Sequence, residues 1–303
     1  MQKKYAIHGM SPSQLIGNYQ GVQLVGTSCL PSEIRQTISK KHPDIRHFDS
    51  LEELLENEPM DVISICSGQS AYQDILKAQE MGLTVVAEKP LVQNTSELKE
   101  LSKLNLNSPI YTLTPLVFHP CLQAIRELVS LGELGEVIHI HCEKSYTPTD
   151  DNNTFSGIQH LMPSLYWGFL LGLGQPEVIN VSGNIIGSHN SMVMHAFLKF
   201  PSQATLSISL NSLKPVDVPE WTGEKVSILG TKGNLEALDL ESIKVIYRDG
   251  EIREENGFDI NDNSVLCQHF IDSLTHDQNS LLSPQQGFDI SELALNIGKE
   301  LVF

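Results

Sequence analysis

Short apolar runs alternate with helical patterns through the first 115 residues, and this alternation constrains the fold more than any other feature. The strand-like apolar runs lie at residues 5–8, 22–27, 62–66, 84–87 and 110–113. Between them, Ser50 and Glu53 have the spacing of a helix-capping box, and residues 72–81 form a helical pattern that ends at Gly82. Strands joined by crossover helices form a parallel sheet, so the sequence predicts an α/β domain here.

A second region begins after a segment punctuated by Pro109, Pro115 and Pro120. It contains a helical pattern at residues 121–131 and an apolar one at 157–171, which has Pro163 near its predicted start. Strand patterns then follow in series at residues 177–183, 192–200, 204–210, 224–229, 234–239 and 243–248. Strands in series favour a mainly antiparallel sheet, so we predict two domains, residues 1–115 and an α+β domain at residues 116–303.

Charge and apolar patterning limit the partners of this chain. With 37 acidic and 20 basic residues, the formal charge of -17 opposes binding to nucleic acid or to an anionic membrane. No apolar run approaches the roughly 20 residues that span a bilayer, and the five cysteines are scattered, as reduced thiols are. We therefore expect a cytoplasmic protein, in which backbone N–H groups could still hold an anionic cofactor.

Residues 87–90, Ala-Glu-Lys-Pro, follow the fourth predicted strand and are the first candidate site. In open α/β sheets, ligands bind in a crevice at the carboxyl ends of the strands, where Lys89 could present its ammonium to a substrate. Pro90 would fix the turn that follows. The alternative is an ordinary surface pair of Glu88 and Lys89, which these four residues alone would favour.

Three motifs together resemble those of the Gfo/Idh/MocA family of oxidoreductases. They are residues 87–90, residues 132–137 (Gly-Glu-Leu-Gly-Glu-Val) and residues 230–236 (Gly-Thr-Lys-Gly-Asn-Leu-Glu). The resemblance implies a Rossmann-type dinucleotide-binding domain at residues 1–115 and a substrate and oligomerisation domain, on an open sheet, at residues 116–303. It also implies hydride transfer between NAD or NADP and a hydroxyl or ketone carbon of a sugar, cyclitol or nucleotide-sugar-like substrate.

The same resemblance assigns roles to Lys89 and His160. The lysine would contact the reacting oxygen, and the histidine would relay its proton. An ammonium stabilises developing oxyanion charge, and an imidazole with a pKa near about 6.5 exchanges protons at neutral pH, so the chemistry agrees with both roles. The alternative for His160 is a buried structural histidine, which would be favoured without the resemblance.

The predicted cofactor site departs from the family pattern. Its candidate residues are Gly9, Ser11, Ser67, Gly68, Glu88, Lys89 and Pro90. Residues 9–14 keep only the first glycine of the G-x-G-x-x-G turn, and side chains there hinder the close approach of a pyrophosphate. Residues 26–30 also lack the acidic residue that accepts the ribose hydroxyls, so binding of NAD or NADP is itself a question.

The region around His160 departs as well. The family commonly has an aspartate four residues before this histidine and another three residues after it, where this chain has Ser156 and Pro163. Asp150 or Asp151 could supply a substitute carboxylate from the preceding loop. Without one, His160 would titrate differently and catalysis would suffer.

Three other histidines are weaker candidates. His139 and His141 lie on one face of a predicted strand and could chelate zinc if a third ligand converged, but an ordinary alternating strand is favoured. His119, before a proline-started helix, could equally contact substrate or serve that helix start. We predict no metal.

Two functions remain open from the sequence. The first is a divergent NAD(P)-dependent oxidoreductase, and the second is a non-catalytic descendant that serves as a ligand-binding, regulatory or partner subunit. We narrowly favour the enzyme because Lys89 and His160 are retained. The apolar alternation of residues 192–210 further suggests a homo-oligomer through the C-terminal sheet.

Overall fold

The computed structural model describes residues 2–9, 19–67, 71–104, 108–147, 154–186, 191–215, 223–258, 264–275 and 282–301, without the side chains of 154–157, 185, 186 and 191. The chain divides into two compact units. The first comprises Met1–Pro115 and Asp262–Ser291, and the second comprises Leu116–Asn261 and Glu292–Phe303. Among the described helices, none has the length and apolar content needed to span a bilayer.

A six-stranded parallel sheet forms the centre of the first unit within the described residues. Its strands are β1 (Lys3–Gly9), β2 (Val22–Ser28), β3 (Arg46–Phe48), β4 (Val62–Cys66), β5 (Thr84–Ala87) and β6 (Ile110–Thr112). Their order is β3-β2-β1-β4-β5-β6. Strands β2 and β3 therefore lie on one side of β1, and strands β4 to β6 lie on its other side. This is the order of a Rossmann-type sheet, and the predicted parallel α/β arrangement is confirmed.

Helices lie between most of these strands, as the alternating pattern predicts, although the helix at Ser32–Lys41 was not predicted. They are α1 (Ser32–Lys41), α2 (Leu51–Asn57), α3 (Ala71–Glu80) and α4 (Thr95–Lys103). The predicted capping box begins α2, because Ser50 Oγ accepts a hydrogen bond from Glu53 N at 3.1 Å and Glu53 Oε2 accepts one from Asp49 N at 3.1 Å. Strand β3 was absent from the sequence prediction, because its three residues begin with Arg46 and His47 and form no apolar run.

The second unit is built on an eight-stranded sheet within the described residues. Its elements, followed by the two closing helices of the chain, are α5 (Pro120–Ser130), β7 (Val137–Ser145), α6 (Thr154–Leu170), β8 (Glu177–Ile186), β9 (Ser191–Lys199), β10 (Thr205–Asn211), β11 (Glu224–Gly230), β12 (Gly233–Leu238), β13 (Ser242–Tyr247), β14 (Ile252–Asn256), α7 (Ser264–Thr275) and α8 (Pro284–Glu300). Only the β7 and β10 pair is parallel among the described pairs, so the predicted mainly antiparallel sheet is confirmed.

Two local predictions in this unit were wrong. Helix α6 begins at Thr154 rather than at residue 157, so Pro163 lies inside the helix and not near its start. Strand β14 was missed, because its sequence, Ile-Arg-Glu-Glu-Asn, has no apolar alternation and four of its residues are exposed.

Two of the three motifs behind the family resemblance pair with each other. Leu134 O accepts a hydrogen bond from Lys232 N at 2.9 Å, and Glu136 O accepts one from Thr231 N at 3.0 Å. Glu136 N donates in turn to Thr231 Oγ1 at 2.9 Å. Residues 132–137 and 230–236 therefore fasten the entrance of β7 to the turn between β11 and β12, which is a structural role.

The apolar alternation of residues 192–210 builds the core of this unit. Met192, Met194, Leu206, Ile208 and Leu210 are all buried within the chain. Since these side chains are already covered, their alternation does not by itself indicate self-association.

Replacing Gly230 with alanine should destabilise the protein by about 3 kcal/mol, because the new Cβ would overlap the backbone oxygen and carbon of Leu134. Urea denaturation followed by circular dichroism measures the loss. Gly233→Ala is the matched control, since its Cβ would lie 3.2 Å from Ile246 O, and its loss should be smaller. Equal stability of the two variants would contradict the close packing of the two turns.

Candidate functional site

The carboxyl ends of β1, β4 and β5 bring several candidate residues to one edge of the first sheet. Gly9 pairs with Cys66, and Ile65 pairs with Ala87, so Gly9, Ser67 and Glu88 end or follow adjacent parallel strands. This edge includes the point between β1 and β4 where the strand order reverses, which is where open α/β sheets bind ligands. Lys89 and Pro90 follow Glu88 at this edge, whereas the candidates Ser11 and Gly68 lie outside the described residues.

Gly9 has two independent reasons to be glycine. Its φ of +81° lies in the left-handed region that other residues rarely adopt. A Cβ there would lie 2.5 Å from Cys66 O and 3.0 Å from Ser67 N. The first glycine of the family turn is therefore required by the β1–β4 approach, whatever the ligand.

The exit from β5 is held firmly. Glu88 N donates to Ile65 O at 3.1 Å, Leu113 N donates to Ala87 O at 2.7 Å, and the peptide bond between Lys89 and Pro90 is cis. Glu88 Oε2 accepts a long hydrogen bond of 3.4 Å from Lys89 N, whereas Glu88 Oε1 is buried and has no hydrogen-bond partner among the described residues. A buried carboxylate oxygen of this kind calls for a donor, and the hydroxyl of a nucleotide ribose is a suitable one.

The end of β2 carries charged groups that the sequence analysis did not assign. Cys29 is exposed, and its Sγ donates to Asp49 O at 3.1 Å. The two terminal nitrogens of Arg35 both lie 3.1 Å from Asp49 Oδ1, and Arg35 Nε donates to Leu30 O at 2.9 Å. The Asp49 side chain is 85% exposed, so a carboxylate from the end of β3 lies beside the place where β2 itself has none.

A buried polar network also lies at the ends of β1 and β2. His8 Nδ1 is hydrogen-bonded to Ser28 Oγ at 2.8 Å, and His8 Nε2 lies 3.3 Å from Asp74 Oδ2 in α3. The side chains of His8 and Asp74 are only 7% and 8% exposed. The three residues come from three separate elements, and no spacing in the sequence connects them.

His160 lies in α6 of the second unit and is half-buried. Its ring stacks on Tyr146, with centroids 4.0 Å apart and planes 17° apart. The side chain of Ser156 and both residues proposed to replace the missing acid, Asp150 and Asp151, lie outside the described residues. The sequence analysis did not find Tyr146, which follows the end of β7.

His119 begins helix α5. Its Nδ1 accepts a hydrogen bond from Cys121 N at 3.2 Å, and its side chain is buried, with 1% of the residue exposed. Burial lowers the pKa of His119 to about 4, so its imidazole is neutral at pH 7. The structure thus shows the helix-capping role, and contact with a substrate stays a prediction.

His139 and His141 bond to hydroxyl groups of the neighbouring strand. His139 Nδ1 pairs with Thr205 Oγ1 at 2.8 Å, and His141 Nδ1 pairs with Ser207 Oγ at 2.8 Å. No group of three histidine, cysteine, aspartate or glutamate side chains that could hold a metal occurs in the described part of the chain. The alternating-strand interpretation is therefore the better one for this pair.

These features define a class of protein: an α/β protein with a Rossmann-type sheet, polar residues at the edge where its strand order reverses, and a second unit on a mixed sheet. Residues 18–107 match the model of an oxidoreductase family described as GFO_IDH_MocA, with an NAD-binding Rossmann fold. The first unit of the chain is therefore similar to the NAD-binding domain of this family.

Individual relatives are distant. Trans-1,2-dihydrobenzene-1,2-diol dehydrogenase of Xenopus laevis is 26% identical over 124 residues, which are 40% of this chain and only 38% of that protein's length.

Two solved structures share the fold. An oxidoreductase from Agrobacterium radiobacter, solved with NAD+, L-tartaric acid and magnesium, has a TM-score of 0.79 at 15% identity and covers 97% of this chain and 94% of its own. UDP-N-acetylglucosamine 3-dehydrogenase from Acidithiobacillus ferrooxidans has a TM-score of 0.73 at 15% identity, covering 99% and 98%.

Replacing Asp74 with alanine should cost about 3 kcal/mol of stability, because it leaves His8 buried without its carboxylate. Thermal or urea unfolding measures the loss. Lys77→Ala in the same helix is the control, since its ion pair with Glu52 is exposed and should be worth less than about 1 kcal/mol. Similar losses in the two variants would show that the buried network stabilises the protein no more than an exposed ion pair does.

His119 should make stability fall in acid. Its folded-state pKa of about 4 lies below the unfolded value of 6.5, so between these values the unfolded chain binds the extra proton and stability is lost as the pH falls. By linkage, this costs about 2 kcal/mol on going from pH 7 to pH 5.

The variant His119→Asn keeps a helix-capping side chain but removes the titrating group. Urea unfolding at pH 7 and pH 5 should show a smaller pH-dependent loss for this variant than for the wild type. An identical loss in both proteins would contradict the assignment.

Proposed function

We propose that this protein is an NAD(P)-dependent oxidoreductase that interconverts a hydroxyl and a carbonyl on a small polyol-like substrate. The observation that carries the proposal is the exit from β5. There, Lys89 follows a buried Glu88 oxygen that has no hydrogen-bond partner among the described residues, at the ligand-binding edge of a Rossmann-type sheet.

The residues of this edge fit a dinucleotide. Glu88 Oε1 can accept from a ribose hydroxyl, and Gly9 and Ser67 lie at the ends of the neighbouring strands β1 and β4. Ser11, Gly68 and Pro90 complete the proposed set by resemblance to the family. A bound NAD or NADP would supply hydride transfer, which none of the protein side chains can perform.

Lys89 and His160 would act on the reacting oxygen and its proton. The Lys89 ammonium stabilises the negative charge that develops on the oxygen when the carbon is oxidised or reduced. His160 would take or return the hydroxyl proton, which an imidazole does readily at neutral pH. Pairing a cation for the oxygen with a base for its proton is what alcohol and ketone interconversion requires.

The proposed substrate class is a sugar, a cyclitol or a nucleotide sugar. The names of the relatives support a hydroxyl beside another oxygen-bearing carbon: a trans-diol, L-tartaric acid and a nucleotide-linked hexosamine. Those molecules are named for the other proteins and not for this one. For this chain they define the first compounds to screen.

A non-catalytic descendant is the second candidate. Residues 9–14 retain only Gly9 of the glycine-rich turn. Residues 26–30, at the end of β2, include Cys29 but no acidic residue. Such a protein would keep the fold for binding a ligand or partner. It would bind dinucleotide weakly or not at all.

We also propose a homo-oligomer that forms through the open face of the second sheet, in a cytoplasmic protein. The supporting observation is that this face exposes Phe197, Leu229, Leu238 and Ile246 among polar neighbours. Light scattering coupled to gel filtration measures the assembly, and a monomer at micromolar concentration would exclude it.

The first test is binding of NAD, NADH, NADP and NADPH to the purified full chain, by thermal shift and calorimetry. A ligand at 100 times its dissociation constant adds about 2.7 kcal/mol of stability, so saturable binding of one dinucleotide should raise the melting temperature. Folded protein that binds none of the four would exclude the oxidoreductase and favour the non-catalytic candidate.

Lys89→Met should then abolish turnover of any substrate found in the screen while the stability of the protein stays near wild type. The reason is that the change removes the cation but keeps the length of the side chain. Lys99→Met, at an exposed position of α4, is the matched control and should remain active. Full activity in Lys89→Met would remove this residue from the chemistry.

A further inference from the structure

Tyr146 and His160 form a parallel aromatic stack in the second unit. Their ring centroids are 4.0 Å apart and their planes differ by 17°. At this separation, the tyrosine covers one face of the imidazole, so the ring of His160 cannot tilt towards that side without a clash.

Tyr146 is itself held by its backbone. Its N donates to Asn211 O at 2.9 Å, and its O accepts from Lys214 N at 3.3 Å. The side chain is buried, and this burial raises the pKa of Tyr146.

Ser212 lies between these two backbone partners of Tyr146 and bonds to the sheet. Its Oγ accepts from Met192 N at 2.7 Å, and Ser212 N donates to Met192 O at 2.9 Å. The backbone of Tyr146 is therefore fastened to the segment after β10, which is itself bonded to β9.

A proton-relay histidine needs such a support. In a catalytic triad, a carboxylate holds the imidazole in its working orientation. The two helix positions where the resemblance would place aspartates carry Ser156 and Pro163, and neither has a carboxylate. The stack on Tyr146 is an observed contact that can restrain the ring instead.

We propose that Tyr146 is a positioning residue for His160, with the backbone of residues 211–214 holding Tyr146 in place. The inference rests on the proposed function, because it assumes that His160 handles a substrate proton. The ring of Tyr146 sets the plane of the imidazole, and so the direction in which its nitrogens exchange that proton. Tyr146 does not need to touch the substrate for this role.

The structural part of the proposal can be tested by nuclear magnetic resonance of the full chain labelled with ¹³C-histidine. The His160 resonance is assigned by its loss in His160→Gln. The ring current of a stacked tyrosine shifts the imidazole C–H signals upfield, so they should move downfield in Tyr146→Leu and stay in place in Tyr146→Phe, which keeps a ring. Tyr247→Leu, which removes a tyrosine of β13, is the control and should leave them unchanged.

The functional part is a comparison of kcat with KM. With the substrate found in the screen, Tyr146→Leu should lower kcat about tenfold or more, since a misplaced catalytic group costs rate even when binding is intact. Its KM and its dinucleotide dissociation constant should stay near wild type. Tyr146→Phe should restore most of kcat, and Tyr247→Leu should resemble the wild type.

The two possible failures are distinguishable. Folded wild-type protein that binds no dinucleotide removes the proposed function, and the relay with it. If the wild type is active but Tyr146→Leu changes neither the His160 signals nor kcat, the positioning role alone is overturned. A fall in kcat that Tyr146→Phe does not restore would also overturn it, because the ring would not be the group that matters.

Discussion

The close pairing of β1 with β4 is the constraint on which the proposed site depends. Gly9 approaches the backbone of Cys66 so closely that a Cβ would lie 2.5 Å from the carbonyl oxygen. This contact aligns the carboxyl ends of the parallel strands, and it places Ser67 and the exit of β5 along the same edge. The rest of the glycine-rich turn is absent from the sequence, yet this one glycine remains because the sheet itself requires it. Its retention is therefore evidence for the fold and weaker evidence for a dinucleotide.

The three motifs behind the family resemblance have different roles in the structure. Residues 132–137 and 230–236 bind each other through backbone hydrogen bonds, and they hold the second sheet together whether or not the protein is an enzyme. Residues 87–90 are different, because a buried Glu88 oxygen lacks a hydrogen-bond partner among the described residues. The functional argument consequently depends on the short motif at the end of β5.

The network of His8, Ser28 and Asp74, and the pair of Arg35 and Asp49, both lie near the ends of β1 to β3, where the family pattern is most eroded. Each joins side chains from separate elements. In the second unit, Tyr146 similarly supports a histidine whose expected aspartates are missing.

The sequence by itself determined the two sheets, most of their strands, the capping box at Ser50 and the place of Glu88 and Lys89 at a strand end. These features follow from local periodicity and short-range hydrogen bonding, which adjacent residues encode. Strands β3 and β14 escaped detection because they have no apolar pattern. Only the tertiary structure decided that the alternation of residues 192–210 faces the core, that His119 is a buried helix cap, and that Tyr146 stacks on His160. The reason is physical: burial, ring stacking and ion pairing depend on which distant segments pack together, and the spacing of residues along a chain does not specify those partners.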